Sequence, residues 1–408
     1  PRIRVLHWQT HLIPEMSSPT SKLQRARWAV TLIFMANGLS FASIVPHFPW
    51  LMRKLELTEA TMGFALLLPA VGAIAMMLMT ARLIQRFGSR ILTVLGCLLL
   101  LGAVPVITLV PTMALMTPFL LAVGMGNGMM DVSMNAQAAA VEQGYGRPLM
   151  SSFHGAFSLG TLLGGGIASV VLGWDVTPFQ HTGSVVVVLV GLVLACGLFL
   201  LPPAEDVPGE QAPMIAIPRG PVLALGLLAV LGMMAEGASV DWSAIYVRNT
   251  LEASAQTAAL TFTMFCLTMT LSRFAGDRLV TRFGPAVVLR CSAFIGASGL
   301  AVGLAIGTPE AAMLGFGCMG LGVANIVPIL FSAASRLPGT SAGSGIAGVS
   351  TLGYSGFLIG PPLIGLTAEG FGLRLALGFL VLFCLAIALL APRFINGSVV
   401  EMRVQSAP

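Results

Sequence analysis

The sequence predicts an all-α membrane protein: twelve transmembrane helices in two six-helix repeats, with both termini cytoplasmic. Three observations carry that expectation. The composition is 56% hydrophobic and 9% charged, with a mean hydropathy of +0.91. Apolar runs long enough to cross a bilayer recur along the chain, and the two halves share landmarks at one constant offset. Soluble domains carry about 25% charged residues, so a soluble fold is excluded. The net charge of +5 does not call for nucleic acid, because basic loops at lipid headgroups account for it. The six cysteines stand singly in apolar runs with no CxxC pair, which reads as packing and as neither disulfides nor a metal site.

A spanning helix needs roughly 20 apolar residues. On that rule a polar, basic segment 1–27 precedes the first span and does not have the pattern of a cleavable signal. The first six spans are 28–51, 61–82, 91–110, 113–141, 150–173 and 183–201. A polar linker follows at 202–220, "PPAEDVPGEQAPMIAIPRG". The second six are 221–247, 256–280, 286–306, 310–335, 342–368 and 373–392, with a tail at 393–408. Two six-helix bundles, 28–201 and 221–392, are therefore expected.

Orientation follows from Lys and Arg. With both ends cytoplasmic, 16 of the 21 fall on inner loops and 4 on outer ones (Arg53, Lys54, Arg248 and Arg374), leaving Arg273 inside a span. That imbalance is the positive-inside pattern. The repeat is as clear. At an offset of 196 residues, Leu55-Glu56 falls on Leu251-Glu252, and Arg86-Phe87-Gly88 on Arg282-Phe283-Gly284. Gly124 and Gly126 fall on Gly320 and Gly322, and Gly160 and Gly164 on Gly356 and Gly360. Parallel repeats of six helices are used by transporters that alternate around a midplane site.

These features resemble the major facilitator superfamily over essentially the whole chain. The signature loop of that family, after the second span, has a glycine, an acid four positions on, then Arg, an aromatic and Gly. Here it reads "ARLIQRFGSR" (81–90), which keeps Arg86, Phe87 and Gly88 but has Ala81 and Gln85; the second copy, "DRLVTRFGPA" (277–286), keeps Arg282, Phe283 and Gly284. The resemblance implies gate roles for Arg86, Gly88, Arg282 and Gly284. Asp131 and Asn135 in the fourth span also resemble the carboxylate–Asn pair of the fucose-permease-like branch, although Ala136-Gln137 depart from it and the first span has no carboxylate. "EGASVDWSAIYVRN" (236–249) is similar to poorly characterised bacterial permeases, which places the chain in a bacterial inner membrane.

Ionisable groups at membrane depth are costly and are functional by default. Asp131, flanked at helical spacing by Asn127 and Asn135, is the first proton-coupling candidate, with the two amides and Gln137 as solute contacts. Glu236 is the second; the offset of 196 sets it opposite Ser40. In this family the first and seventh spans line the cavity, which adds Asn37 and Ser40, and the tenth adds Asn325. Arg273 and Asp277, at i and i+4, are expected to pair within one helix near the gate. Gly160 and Gly356 are expected to pack moving helices, His47 to meet water at the outer end, and Trp242 to lie in the interfacial belt.

"GTSAG" (339–343) and "GFGCMG" (315–320) match enzyme motifs without their strand context, and no phosphate-binding loop is present. No enzyme activity, cofactor or metal is expected. The expectation is a monomeric secondary transporter of a small polar or amphipathic solute, driven by protons. Drug or metabolite efflux by proton antiport is the alternative, and a non-transporting assembly factor or sensor the reading from another class.

Overall fold

The computed structural model describes residues 21–146, 149–174, 176–203, 220–337 and 342–405. Residues 1–20, nearly all of the linker, Arg147, Arg219 and most of "GTSAG" lie outside the described residues. Among the described residues, twelve helices are long and apolar enough to span a membrane. They are α1 Ser21–Lys54, α2 Glu59–Phe87, α3 Ser89–Leu109, α4 Met113–Tyr145, α5 Met150–Leu172 and α6 Pro178–Gly197. The second half has α7 Pro221–Thr250, α8 Ala255–Phe283, α9 Pro285–Ile306, α10 Pro309–Ala334, α11 Ala342–Phe371 and α12 Leu373–Ile395.

The helix starts show why these segments begin where they do. Thr58, Thr112, Ser254 and Thr308 each accept a bond from a backbone N–H in the first turn, which satisfies a donor the helix leaves free. The stops obey chain geometry too. Gly88 ends α2 at φ 80° and Gly284 ends α8 at φ 83°, a region where a side chain is strained. Glu56 and Glu252 both sit at φ 53°. Arg86 lies over the Phe87 ring at 5.2 Å, and Arg282 over Phe283 at 5.3 Å. All of these pairs are 196 residues apart, so the repeat is one of structure.

The repeat is not uniform in α1 and α7. A Cβ on Gly160 would strike the Met35 carbonyl, and one on Gly356 would lie 2.6 Å from that of Val230. Gly38 packs on Phe157, while Met233 packs on Gly353. Both comparisons give an offset of 195 here, and 196 is restored by Glu56 and Glu252. A tight 3₁₀ turn at Val45–His47 in α1 and a wide π turn at Tyr246–Thr250 in α7 take up the extra residue. Glu236 therefore corresponds to Phe41, not to Ser40 as the sequence offset implied.

Each half packs through small residues. Gly124 and Gly128 bring α4 against the α2 backbone at Pro69 and Ala73, and Gly126 meets Gly96 and Leu100 of α3. Gly320 and Gly322 do the same for α10 against α8 and α9. The halves meet along two seams. On the α2–α11 seam Gly63 faces the Pro361 carbonyl and Gly365 that of Glu59. On the α5–α8 seam Gly165 lies on Phe262 and Thr263, and Gly155 on Phe274. Arg53 Nη1 donates to Asn249 Oδ1 at 3.0 Å. Repeat-equivalent residues that touch each other mark the line where the halves meet, so the bundle is closed at the Arg53 end.

Gly160 and Gly356 belong to neither seam. They pack α5 on α1 and α11 on α7, each within one half, and this corrects the expectation that they lie between moving parts. Gly160→Leu should then lower the yield of folded protein rather than stall a gate, because overpacking a tight contact costs about 1–3 kcal/mol. Gly166→Leu on the same helix should be harmless, since no atom lies within 4 Å of its added Cβ. Size-exclusion profiles and unfolding midpoints of the two variants check this.

Candidate functional site

On α4, Gly124 and Gly128 face α2 and Gly126 and Met130 face α3, which leaves Asn127 and Asp131 directed between α1 and α2. Asp131, Asn127 and Asn135 are each partly exposed. Asn135 Nδ2 donates to the Asp131 carbonyl at 2.8 Å and to its Oδ1 at 3.2 Å. The amide thus orients the carboxyl, and no cation is paired with it among the described residues.

The opposite wall comes from the second half. Arg273 Nη2 on α8 bonds Glu236 Oε1 on α7 at 2.9 Å, with 31% and 18% of the two side chains open. The expected Arg273–Asp277 pair does not form. A guanidinium on a helix inside the bundle gains more from a half-buried carboxylate on the next helix than from an exposed one on its own. Asp277 instead lines a cavity of about 390 Å³, with Asn325, Ser332 and Arg336 among its walls.

Arg273 also reaches the first half. Its Nη1 lies 3.4 Å from Ser158 Oγ on α5, and His154, one turn away, is within electrostatic reach of it. The His154 ring meets Phe34 of α1 edge-on at 5.3 Å. Tyr354 on α11 is 39% exposed and lies within electrostatic range of both Asp131 and Glu236. Tyr354 is the repeat equivalent of Ser158. These two positions, each two residues before a repeat glycine, were not singled out from the sequence as site residues; the constant offset would have paired them. Asp131, Tyr354, Glu236, Arg273, Ser158 and His154 thus form one polar ring between the two halves.

Other expected contacts are placed elsewhere. Gln137 is six residues past Asp131, about 240° further round the helix, and fully buried. Its amide donates to Ser89 Oγ at 2.6 Å and to the Leu201 carbonyl at 3.0 Å, and accepts from the Leu201 N–H at 2.9 Å. It clamps α4 to α3 and the end of α6 and has nothing left for a solute. Asn325 sits at a break in α10 and donates to Ser272 Oγ at 3.0 Å, joining α10 to α8. Ser40 is 1% exposed, and Asn37, 2% exposed, reaches Met134 Sδ at 3.9 Å. His47 does not meet water: it is buried and shares a 2.8 Å bond with His181 of α6. Trp242, expected in the belt, is fully buried.

The Major Facilitator Superfamily model matches residues 30–251 and 225–407. An uncharacterised MFS-type transporter of Yersinia pestis is 34% identical over 357 residues, 88% of this chain and 92% of that one. Membrane protein MosC of Rhizobium meliloti is 32% identical over 356 residues, 86% of each. Among solved structures, a D-xylose–proton symporter superposes with a TM-score of 0.70 at 15% identity, covering 90% of this chain and 97% of its own. The E. coli fucose–proton symporter FucP does so at 0.58 and 16%, covering 93% and 99%. These structural likenesses are of fold alone. With two matched halves, twelve spans and a polar ring between the repeats, the chain belongs to the Major Facilitator Superfamily and is a multi-pass membrane transporter, not an enzyme.

Proposed function

We propose that this transporter moves a small polar solute by proton-coupled secondary transport through alternating access, in a bacterial inner membrane with the Arg86 end in the cytoplasm. The observation that carries the reading is Asp131. It is a carboxyl at membrane depth, oriented by Asn135 and paired with no cation among the described residues, and it shares the ring with a Glu236 already neutralised by Arg273. An uncompensated carboxylate in hydrocarbon is costly, so a proton is the natural partner when no solute donor is present. Asn127, Asn135, Ser158, His154 and Tyr354 offer hydrogen-bond donors and acceptors, which suits hydroxylated or amide-bearing solutes better than purely greasy ones. Transporters that share the fold include a D-xylose–proton symporter, a fucose–proton symporter and a nucleoside transporter, so polar solutes and proton coupling both lie within what this architecture can carry. With the Arg86 end in the cytoplasm, the contact between the halves at the Arg53 end is the one expected of a state closed to the outside.

The test is solute-driven proton movement in proteoliposomes containing a trapped pH dye, across a panel of sugars, polyols, nucleosides and cationic drugs. Acidification of the lumen on adding one solute outside supports coupled uptake. Alkalinisation would favour antiport, and silence for every solute together with no uptake of labelled ones would sink the reading. Orientation is tested separately. Changing Arg82, Arg86 and Arg90 to Glu should disturb insertion far more than changing Arg53 and Lys54, since the inner loop carries the topological charge. Equal effects on cysteine accessibility from either side would reverse the assignment.

A further inference from the structure

The two seams between the halves are built alike but are not fastened alike. At the α2–α11 seam, Glu369 in the last turn of α11 reaches across to the start of α2. Its Oε2 accepts from Thr58 Oγ at 2.8 Å and from the Ala60 backbone N–H at 3.2 Å. The first turn of a helix leaves N–H groups unpaired and carries the positive end of its dipole, so a carboxylate is favoured there. Thr58 caps its own helix by accepting from Thr61 N at 3.3 Å while giving its hydroxyl hydrogen to Glu369. The cap of α2 is thus shared between its own threonine and a carboxylate from the opposite half of the protein.

This contact is held in place from below. Residues 361, 365 and 369 follow one another at four-residue spacing on one face of α11. Gly365 rests on the Glu59 carbonyl and the Pro361 carbonyl on Gly63, so the two backbones touch immediately beneath the carboxylate. At the equivalent α5–α8 seam the position of Glu369 is taken by Gly173, which has no side chain, and the Gln256 amide lies 3.2 Å from where a Cβ would stand. Ser254 there caps α8 by accepting from Thr257 N at 3.0 Å. At the Arg53 end the α5–α8 seam is packed only, while the α2–α11 seam is packed and pinned by charge.

We propose that Glu369 is a latch: by capping α2 from the other half, its carboxylate holds the Arg53 end shut, and opening of that end must break the cap. The latch is independent of which solute is carried and of any role for Asp131. It stabilises one of the two end states of the cycle, so its loss shifts their balance without removing any group from the polar ring.

The test is a distance measurement between spin labels on full-length protein in lipid nanodiscs, with no solute added. Labels at Leu115 and Leu375, exposed residues near the Arg53 end of α4 and α12 in opposite halves, report its opening. Loss of a helix-capping carboxylate is worth a factor of about three to ten in an equilibrium. Glu369→Ala should therefore raise the long-distance population by about that factor. Thr58→Val should raise it too, and the double variant no more than the larger single effect, because both remove one interaction. Glu310→Ala, at the first turn of α10 at the same end, should leave it unchanged. An unshifted distribution in Glu369→Ala, an additive double variant, or an equal shift from Glu310→Ala would each overturn the latch. Should Glu369→Ala not fold, Glu369→Gln keeps the shape without the charge and is read on the same scale.

Discussion

Asp131→Asn is expected to abolish proton-driven accumulation of the solute, on the order of tenfold or more, which is the size of an ordinary coupling between two binding sites. Exchange of labelled for unlabelled solute should persist. The amide holds the carboxyl in the shape of its protonated form, so the ring can still bind solute and alternate, yet has no proton to gain on one side and lose on the other. Asn135 Nδ2 would still find an oxygen at position 131, so the local geometry is kept. Counterflow and gradient-driven uptake, measured in the same proteoliposome batch, separate the outcomes. If Asp131→Asn accumulates solute as the parent does, Asp131 is structural and coupling moves to Glu236.

The second large effect concerns Arg273 and Glu236. Removing one member of a buried ion pair costs about 3–5 kcal/mol, and partial access of water should bring this toward about 2 kcal/mol. Arg273→Ala and Glu236→Ala should each lower the unfolding midpoint in detergent. The pair Arg273→Ala/Glu236→Ala should be more stable than Arg273→Ala alone, because no uncompensated charge is left. Flux should be lost in all three. Arg273 also lies against Ser158 of the first half, so the pair sets the field of the ring as well as the stability of one bundle. A double variant no more stable than the single ones would show that the ion pair is not the reason for the loss.

Much of this protein follows from its residues taken in order. Hydrocarbon leaves a chain little choice but helix, so twelve apolar runs became twelve helices. The repeat was legible because identical turns need identical residues: Gly88 and Gly284 share the offset of 196 and both end a helix at positive φ. Asp131 with Asn135 was legible because a polar stripe in an apolar helix has a short list of causes.

The rest depended on which helix stands beside which, and on how far each is rotated. Arg273 has Asp277 one turn away in sequence, but its partner is Glu236, 37 residues distant and on the neighbouring helix. Gln137 lies close to Asp131 along the chain and faces the other way, against Ser89 and Leu201. A single residue taken up between a 3₁₀ and a π turn moved Glu236 from the level of Ser40 to that of Phe41. Glu369 and Thr58 are 311 residues apart and meet only because α2 and α11 cross there. Spacing along one chain determines the face of a helix. Interhelical packing determines what that face meets, and for a transporter the partners across the seam decide the mechanism.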